Sequence, residues 1–280
     1  MMNTIRFQNK VVFITGAARG QGRSHALAFA REGAQLVLCD TPRQFETVPY
    51  ALGSVEELEQ TAHEIEQSGR PVIAMPVDVT DLKGMQQLAD RAVEQFGRID
   101  IVIANAGLYS FGPTWELSEQ QWGETVDVVL KGAWITCKVA IPSLIRQRAG
   151  KIVCIGSTGS MKGLPGLGHY VAAKHGLIGL VKTLAIELAP YNINVNAICP
   201  TTVDTGIVNN QAFYDYFAGG PGPNATRDNV IARMNEMNLF ADRGMLAPED
   251  ISAVVLWLAS EESRHITGCA LPVDAGFLAR

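Results

Sequence analysis

Seven short, nearly continuous apolar runs punctuate the chain, at residues 11–15, 35–40, 72–77, 99–105, 151–157, 194–199 and 270–273. Apolar residues in succession, rather than at alternate positions, mark strands covered on both faces, and hence a parallel sheet. Between them lie longer segments with apolar residues at helical spacing, near 22–32, 55–68, 82–96, 118–148, 169–188 and 248–258. Repeated strand–helix alternation predicts a doubly wound α/β sheet, with right-handed crossovers placing helices on both faces. No midpoint linker rich in Gly, Pro or Ser divides the 280 residues, so one domain spanning 1–280 is expected.

Two connections are too long to be simple turns. Residues 41–54 contain Pro42, Pro49 and Gly53 and carry apolar Phe45, Val48 and Tyr50. The helix that follows is predicted to start with a capping box, Ser54 with Glu57 three residues on. Residues 203–244 carry the aromatic cluster Phe213, Tyr214, Tyr216 and Phe217, then Gly219-Gly220-Pro221-Gly222-Pro223, with a short helix predicted over 228–238. Long excursions after strand C-termini build the site in an open α/β sheet, although either segment also reads as a plain surface loop.

Composition narrows the classes. Apolar residues make up 47% and charged residues 18%, which is ordinary for a globular chain. A formal net charge of -5 and a pI of ≈ 5.6 argue against a nucleic-acid or anionic-membrane surface. No apolar run reaches the roughly 18 residues of a membrane span, and residues 1–10 lack the apolar stretch of a signal peptide. A cytoplasmic protein is therefore expected. The five cysteines, Cys39, Cys137, Cys154, Cys199 and Cys269, are scattered and odd in number, which predicts reduced thiols. No His, Cys or carboxylate spacing suggests a metal.

Gly16, Gly20 and Gly22 lie between the first strand and the first helix. There a chain must turn sharply, and a pyrophosphate can approach the backbone amides of a helix N-terminus. The spacing departs from the Gly-x-Gly-x-x-Gly fingerprint, and glycines alone are weak evidence. Asp40, ending the second strand, strengthens it: a carboxylate there accepts both hydroxyls of an adenosine ribose and repels a 2'-phosphate, favouring NAD over NADP. Arg19, inside the turn, is a candidate phosphate ligand that argues the other way, but no basic residue directly precedes or replaces Asp40. Asp78-Val79 and Asn105-Ala106-Gly107 follow the third and fourth strands. Asp78 could bond an adenine amino group, Val79 could pack on its edge, and Asn105 could brace the loop beneath a cofactor. Helix capping and turn formation explain each of these singly as well.

Tyr170 and Lys174 stand four residues apart, on one face of a predicted helix. Ser157 ends the fifth strand, thirteen residues earlier. A free phenol ionises near pH 10, too high for an efficient base, and an adjacent ammonium, with the positive nicotinamide ring of a bound cofactor, is expected to lower that value. Ser157 would hold a substrate oxygen while Tyr170 moves its proton.

Taken together, Thr15-Gly16-x-x-x-Gly20-x-Gly22, Asn105-Ala106-Gly107, Ser157, Tyr170-x-x-x-Lys174 and Pro200-Thr201 resemble the short-chain dehydrogenase/reductases over essentially the whole chain. The stretch Gly16-Ala17-Ala18-Arg19-Gly20-Gln21-Gly22-Arg23-Ser24-His25, the insertion ending Val48-Pro49-Tyr50, and Cys199-Pro200-Thr201-Thr202-Val203 are similar to actinobacterial carveol dehydrogenase-like, mycofactocin-coupled members. The resemblance implies a Rossmann fold with a seven-stranded parallel sheet, a homotetramer and NAD as cofactor. It implies an insertion near 41–54 that covers NAD, an external redox carrier of mycofactocin type as partner, and a substrate lid near 203–244. Ser157, Tyr170 and Lys174 would be catalytic. Gly16, Arg19, Gly20, Gln21, Gly22, Asp40, Asp78, Val79, Asn105, Ala106, Gly107, Tyr170, Lys174, Pro200, Thr201, Val203 and Thr205 would hold the cofactor. Val203 would meet the carboxamide through its backbone.

Two positions depart from the family pattern. The usual Asn-Leu-x-Gly reads Val129-Leu130-Lys131-Gly132, so the side chain that supports a water relay to the lysine is absent, and Asp127 does not face the same way. The first of two usual serines before the tyrosine is Gly156. The expected substrate is a small or medium apolar secondary alcohol or its ketone, carveol-like by resemblance. Its pocket would be walled by 108–111, 160–167 and 203–244, with Met234, Met237 and Phe240 in the lid. Alternatives are a steroid ketone or 3-oxoacyl thioester reductase, and a low-turnover dinucleotide-binding sensor or structural protein.

Overall fold

The computed structural model describes residues 5–240 and 242–280. All seven predicted strands form, as β1 (Val11–Thr15), β2 (Gln35–Asp40), β3 (Val72–Pro76), β4 (Ile101–Ala104), β5 (Gly150–Ile155), β6 (Ile193–Pro200) and β7 (Ala270–Val273). They build one sheet in the order β3-β2-β1-β4-β5-β6-β7, with every pair parallel. The order reverses between β1 and β4, which opens a crevice at the strand C-termini. Alternate residues of β1 show why its sequence is apolar throughout. Val11 and Phe13 enter one core and Val12 and Ile14 the other, all fully buried.

Among the described residues the helices are α1 (Gly20–Arg31), α2 (Val55–Gln67), α3 (Leu82–Phe96), α4 (Glu119–Val126), α5 (Gly132–Gln147), α6 (Gly168–Leu188), α7 (Gln211–Ala218), α8 (Arg227–Met237) and α9 (Pro248–Ala259). The Ser54–Glu57 capping box is present in both directions, at 2.9 and 3.2 Å. The single helix expected over 118–148 is interrupted by a π-helical turn at Asp127–Lys131. Periodicity could not show this, because one extra residue per turn barely disturbs an apolar stripe. The whole segment Glu119–Gln147 is long and apolar enough to cross a membrane, but 61% of its most apolar window is buried inside the fold. The aromatic cluster near 213–217 forms α7, a helix not expected from the sequence. Asn210 caps its start and Gly219, at φ 82°, ends it. All five cysteines are free.

The α1–α9 interface buries His25 completely. Its Nδ1 lies 2.8 Å from Ser252 Oγ, and its Nε2 has no partner. Burial pushes the imidazole down to about 3. An unfolded histidine titrates near 6.5, so below that pH the unfolded chain binds a proton that the native protein refuses. Stability is unaffected above that value and falls as pH falls from it toward the folded value. His25→Gln should remove this dependence. The difference in unfolding free energy between wild type and variant is expected to shift by about 2 kcal/mol between pH 7.5 and 5. Parallel stability curves from urea titrations at the two pH values would refute it.

Candidate active site

The turn between β1 and α1 is built tightly around backbone. Gly16 and Gly20 have φ of 66° and 57°, in the left-handed region open to glycine. A Cβ on Gly22 would lie 1.9 Å from the Gly16 carbonyl oxygen. Asn105 braces the turn from β4: its Nδ2 donates to the carbonyls of Thr15 and Gly16 at 2.9 and 3.1 Å. Thr15 Oγ1 in turn accepts from the backbone of Asn105 and Ala106. No side chain caps the first turn of α1, whose amides therefore face the crevice. These features make a cradle for an anionic diphosphate.

Asp40 sits where β2 meets this cradle. Its Oδ2 and Oδ1 accept from the backbone of Ala18 and Thr41, each at 2.8 Å. Burial raises its pKa, while these backbone bonds and Arg19 act in the opposite direction. Gly53, from the insertion, is so close that a Cβ there would meet Asp40 Oδ2 at 3.2 Å. Asp78 reaches the same cleft, but its carboxylate is already engaged. Oδ1 accepts from the Thr80 backbone and hydroxyl, and Oδ2 from Arg43 Nε at 2.9 Å. Arg43 also stacks on Phe45, 4.3 Å from the ring centroid. Val79 packs against Gly132, where a Cβ would come 2.5 Å from Val79 Cγ2.

The insertion has no helix or strand of its own and is held by side-chain bonds. Arg19 donates to the Ala51 carbonyl, Thr47 to Glu124, and Arg43 to Asp78. The backbone of Tyr109 donates to Tyr50 Oη at 3.0 Å. Arg19 therefore reaches across the cleft mouth to the insertion and lies against Gly206. Phe45, Tyr50, Leu52 and Gly53 all line the cleft.

The remaining chemistry comes from β5 and α6. Ser157 Oγ accepts from the backbone of Gly159 at 3.0 Å in a short helical turn, Thr158–Ser160. Lys174, 4% exposed, donates from Nζ to the Ile155 carbonyl at 2.6 Å and lies 5.5 Å from the Tyr170 ring centroid. Burial pushes the Tyr170 phenol up to about 12, with the Ser157 hydroxyl acting against it, and pushes Lys174 down to about 8. The expected lowering of the tyrosine invoked the cofactor's charge as well as the lysine, and the protein's own groups by themselves raise it. Desolvation of the phenolate outweighs the Ser157 hydroxyl, and neither group brings the positive charge that a bound nicotinamide would add.

Val129 is buried beside this pair. A Cβ on Gly107 would lie 4.0 Å from Val129 Cγ2 and 3.9 Å from Lys174 Nζ. Asp127 pairs instead with Lys131 at 3.4 Å, both about half exposed, and so offers no polar group at the site.

Tyr170 and Gly156 line both the dinucleotide cleft and a second, larger chamber beside it. Leu164, Pro165, Leu167, Val208, Phe213, Tyr216, Phe217, Met234 and Met237 make that chamber largely apolar. Pro200, Thr201 and Val203 line the chamber, and Thr205 the cleft. The glycines Gly16, Gly20, Gly22 and Gly107, with Gln21, Asn105 and Ala106, line the cleft as well. Buried Gln21 Oε1 has no partner and faces a cleft in need of one. This orphan acceptor, with the glycine cradle and Asp40, fits a dinucleotide. Phe240 was expected in the lid but is 58% exposed and does not line the chamber; its backbone bonds Ala275. Arg43, Gly53 and Phe277 were not singled out for the site from the sequence. Phe277 reaches the chamber from the C-terminal segment through a turn with positive φ at Ala275 and Gly276, and no periodic signal marks it.

A crevice at a sheet switch point, with a glycine cradle beside a Ser–Tyr–Lys group, defines a nucleotide-dependent oxidoreductase of the single-domain kind. The chain belongs to the short-chain dehydrogenase/reductase family. A family model described as enoyl-(acyl carrier protein) reductase matches residues 16–278. The chain is 41% identical to a (-)-trans-carveol dehydrogenase of Rhodococcus erythropolis, over 97% of this chain and 98% of that one. It is 32% identical to a 3-oxoacyl-[acyl-carrier-protein] reductase of Thermotoga maritima, covering 98% and 100%. The structure of carveol dehydrogenase from Mycobacterium avium in complex with NAD superposes with a TM-score of 0.94 at 39% identity, covering 98% and 99%.

Proposed function

We propose that this NAD-dependent oxidoreductase interconverts a small or medium apolar secondary alcohol, carveol-like or otherwise cyclic, with its ketone. The observation that carries the reading is the position of Tyr170, on the wall shared by the dinucleotide cleft and the apolar chamber. NAD, when bound, accepts or supplies the hydride. The cradle of Gly16, Gly20 and Gly22 holds its diphosphate, and Asp40 takes the adenosine ribose hydroxyls. Ser157 Oγ binds the substrate oxygen, and Tyr170 Oη takes the hydroxyl proton during oxidation and returns it during reduction. Lys174, anchored on the Ile155 carbonyl, keeps two N–H donors for the nicotinamide ribose hydroxyls and sets its charge 5.5 Å from the Tyr170 ring centroid, where it favours the phenolate. Asp78 serves NAD by holding Arg43 and the insertion, since each of its carboxylate oxygens already meets two donors, whereas each Asp40 oxygen accepts one and keeps a lone pair.

The bonds from Arg19, Thr47, Arg43 and Tyr109 support an insertion that slows NAD exchange. In that case an external carrier of mycofactocin type reoxidises the cofactor in place. Exposed Trp115, Trp122, Trp134 and Ile186 support assembly into a homotetramer. A cytoplasmic location agrees with five free thiols.

A second reading, a 3-oxoacyl thioester reductase, is favoured by the Thermotoga maritima relative and opposed by Asp40, which repels the 2'-phosphate of NADPH. The purified protein should oxidise cyclic secondary alcohols such as carveol with an artificial electron acceptor. Tight NAD binding with no turnover of any alcohol or ketone would overturn the enzyme reading in favour of a sensor. Turnover that required free NAD would overturn cofactor retention.

A further inference from the structure

Tyr109 lies on the loop after β4 and is 6% exposed. Its ring forms part of the apolar chamber wall. It meets the Tyr170 ring edge-on at 5.3 Å, Tyr50 at 5.6 Å and Phe111 at 5.3 Å. Two hydrogen bonds leave this residue toward different segments. Its backbone N–H donates to Tyr50 Oη at 3.0 Å, and its phenol donates to the Ile207 carbonyl at 2.8 Å. Tyr50 belongs to the insertion and lines the dinucleotide cleft, whereas Ile207 belongs to the 203–244 segment and lines both spaces. A parallel link runs through the same loop, where Phe111 stacks on Tyr216 of α7 with centroids 4.7 Å apart.

Residues 41–54 contain no helix or strand, so few local bonds fix their position and the links to neighbours decide it. We infer that Tyr109 is a positioning residue that couples the two segments. An insertion held down on NAD holds the 203–218 segment closed over the apolar chamber, and an occupied chamber in turn slows NAD release. The reciprocity is a thermodynamic requirement once one direction holds. The inference rests on the NAD reading of the cleft. The catalytic phenol packs against the same ring, so the closed arrangement is also the one in which Tyr170 is boxed in.

Hydrogen–deuterium exchange of the full chain, with and without NAD, tests the coupling through peptides covering 47–52 and 207–218. In wild type, NAD should slow exchange in both. Tyr109→Phe keeps the ring contacts and the backbone donor but loses the Ile207 bond. NAD should then still slow 47–52, while its protection of 207–218 falls by about 2- to 10-fold, the worth of one neutral hydrogen bond. Tyr50→Phe removes the acceptor on the other side and should weaken the response at 207–218 similarly. A merely structural loosening would raise exchange at 207–218 equally with and without NAD. That result, or an identical NAD response in wild type and both variants, overturns the coupling while leaving the NAD reading intact. Failure of NAD to bind wild type, seen as no protection at either segment, overturns the NAD reading and this inference with it.

Discussion

Tyr170→Phe should lower kcat by about 10²- to 10⁴-fold, the usual worth of a general acid or base, while NAD affinity stays within a few-fold of wild type. The substitution keeps the ring, and with it the edge contact to Tyr109 and the boundary between cleft and chamber. It removes only the hydroxyl beside Ser157, the group proposed to exchange a proton with the substrate oxygen. With the protein's own groups pushing the phenol up to about 12, ionisation depends on what the bound cofactor and substrate add. The buried ammonium of Lys174 supplies charge nearby but is itself pushed down to about 8. Steady-state kinetics with a cyclic alcohol and calorimetric titration of NAD check the prediction. A variant with wild-type kcat would remove Tyr170 from the chemistry.

Gly22→Ala should destabilise the fold by at least about 3 kcal/mol and abolish measurable NAD binding, since overpacking of this severity cannot be relieved by rotating a side chain. The new Cβ would sit 1.9 Å from the Gly16 carbonyl oxygen and 2.7 Å from Asn105 Nδ2. Both are parts of the braced turn, so either α1 retreats from β1 or the Asn105 bonds break. Each response opens the cradle. Gly123→Ala in α4 is the control, because nothing lies within 4 Å of a Cβ there. It should stabilise by about 0.4 to 1 kcal/mol through reduced unfolded-state entropy. Urea unfolding and NAD titration of both variants decide the matter, and a Gly22→Ala protein that is as stable and binds as well as wild type would refute the tight cradle.

The strand pattern was legible because buried parallel strands must be apolar on both faces, and β1, β2 and β7 start and end where the runs do. Runs that continue into the site were read too long. The runs 99–105 and 151–157 end as strands at Ala104 and Ile155, because Asn105 and Ser157 leave the ladder to present their side chains. The π-helical turn at Asp127–Lys131 and the helix over the aromatic cluster were hidden for opposite reasons. One hardly alters the apolar period, and the other is rich in aromatic residues that local propensity does not assign to a helix.

The sequence by itself determined the α/β class, the glycine cradle, Asp40 and the Ser157–Tyr170–Lys174 spacing. All of these follow from local rules: backbone reach, charge and helical repeat. Tertiary structure decided what those groups experience. It buried the phenol, which pushes its pKa up, occupied the Asp78 carboxylate with Arg43, left Phe240 outside the chamber and brought Phe277 into it. It also joined Tyr50 to Ile207 through Tyr109, across 157 positions of chain that no local pattern relates. Desolvation and long-range hydrogen bonding depend on which segments meet in space, and spacing along the chain carries no record of that.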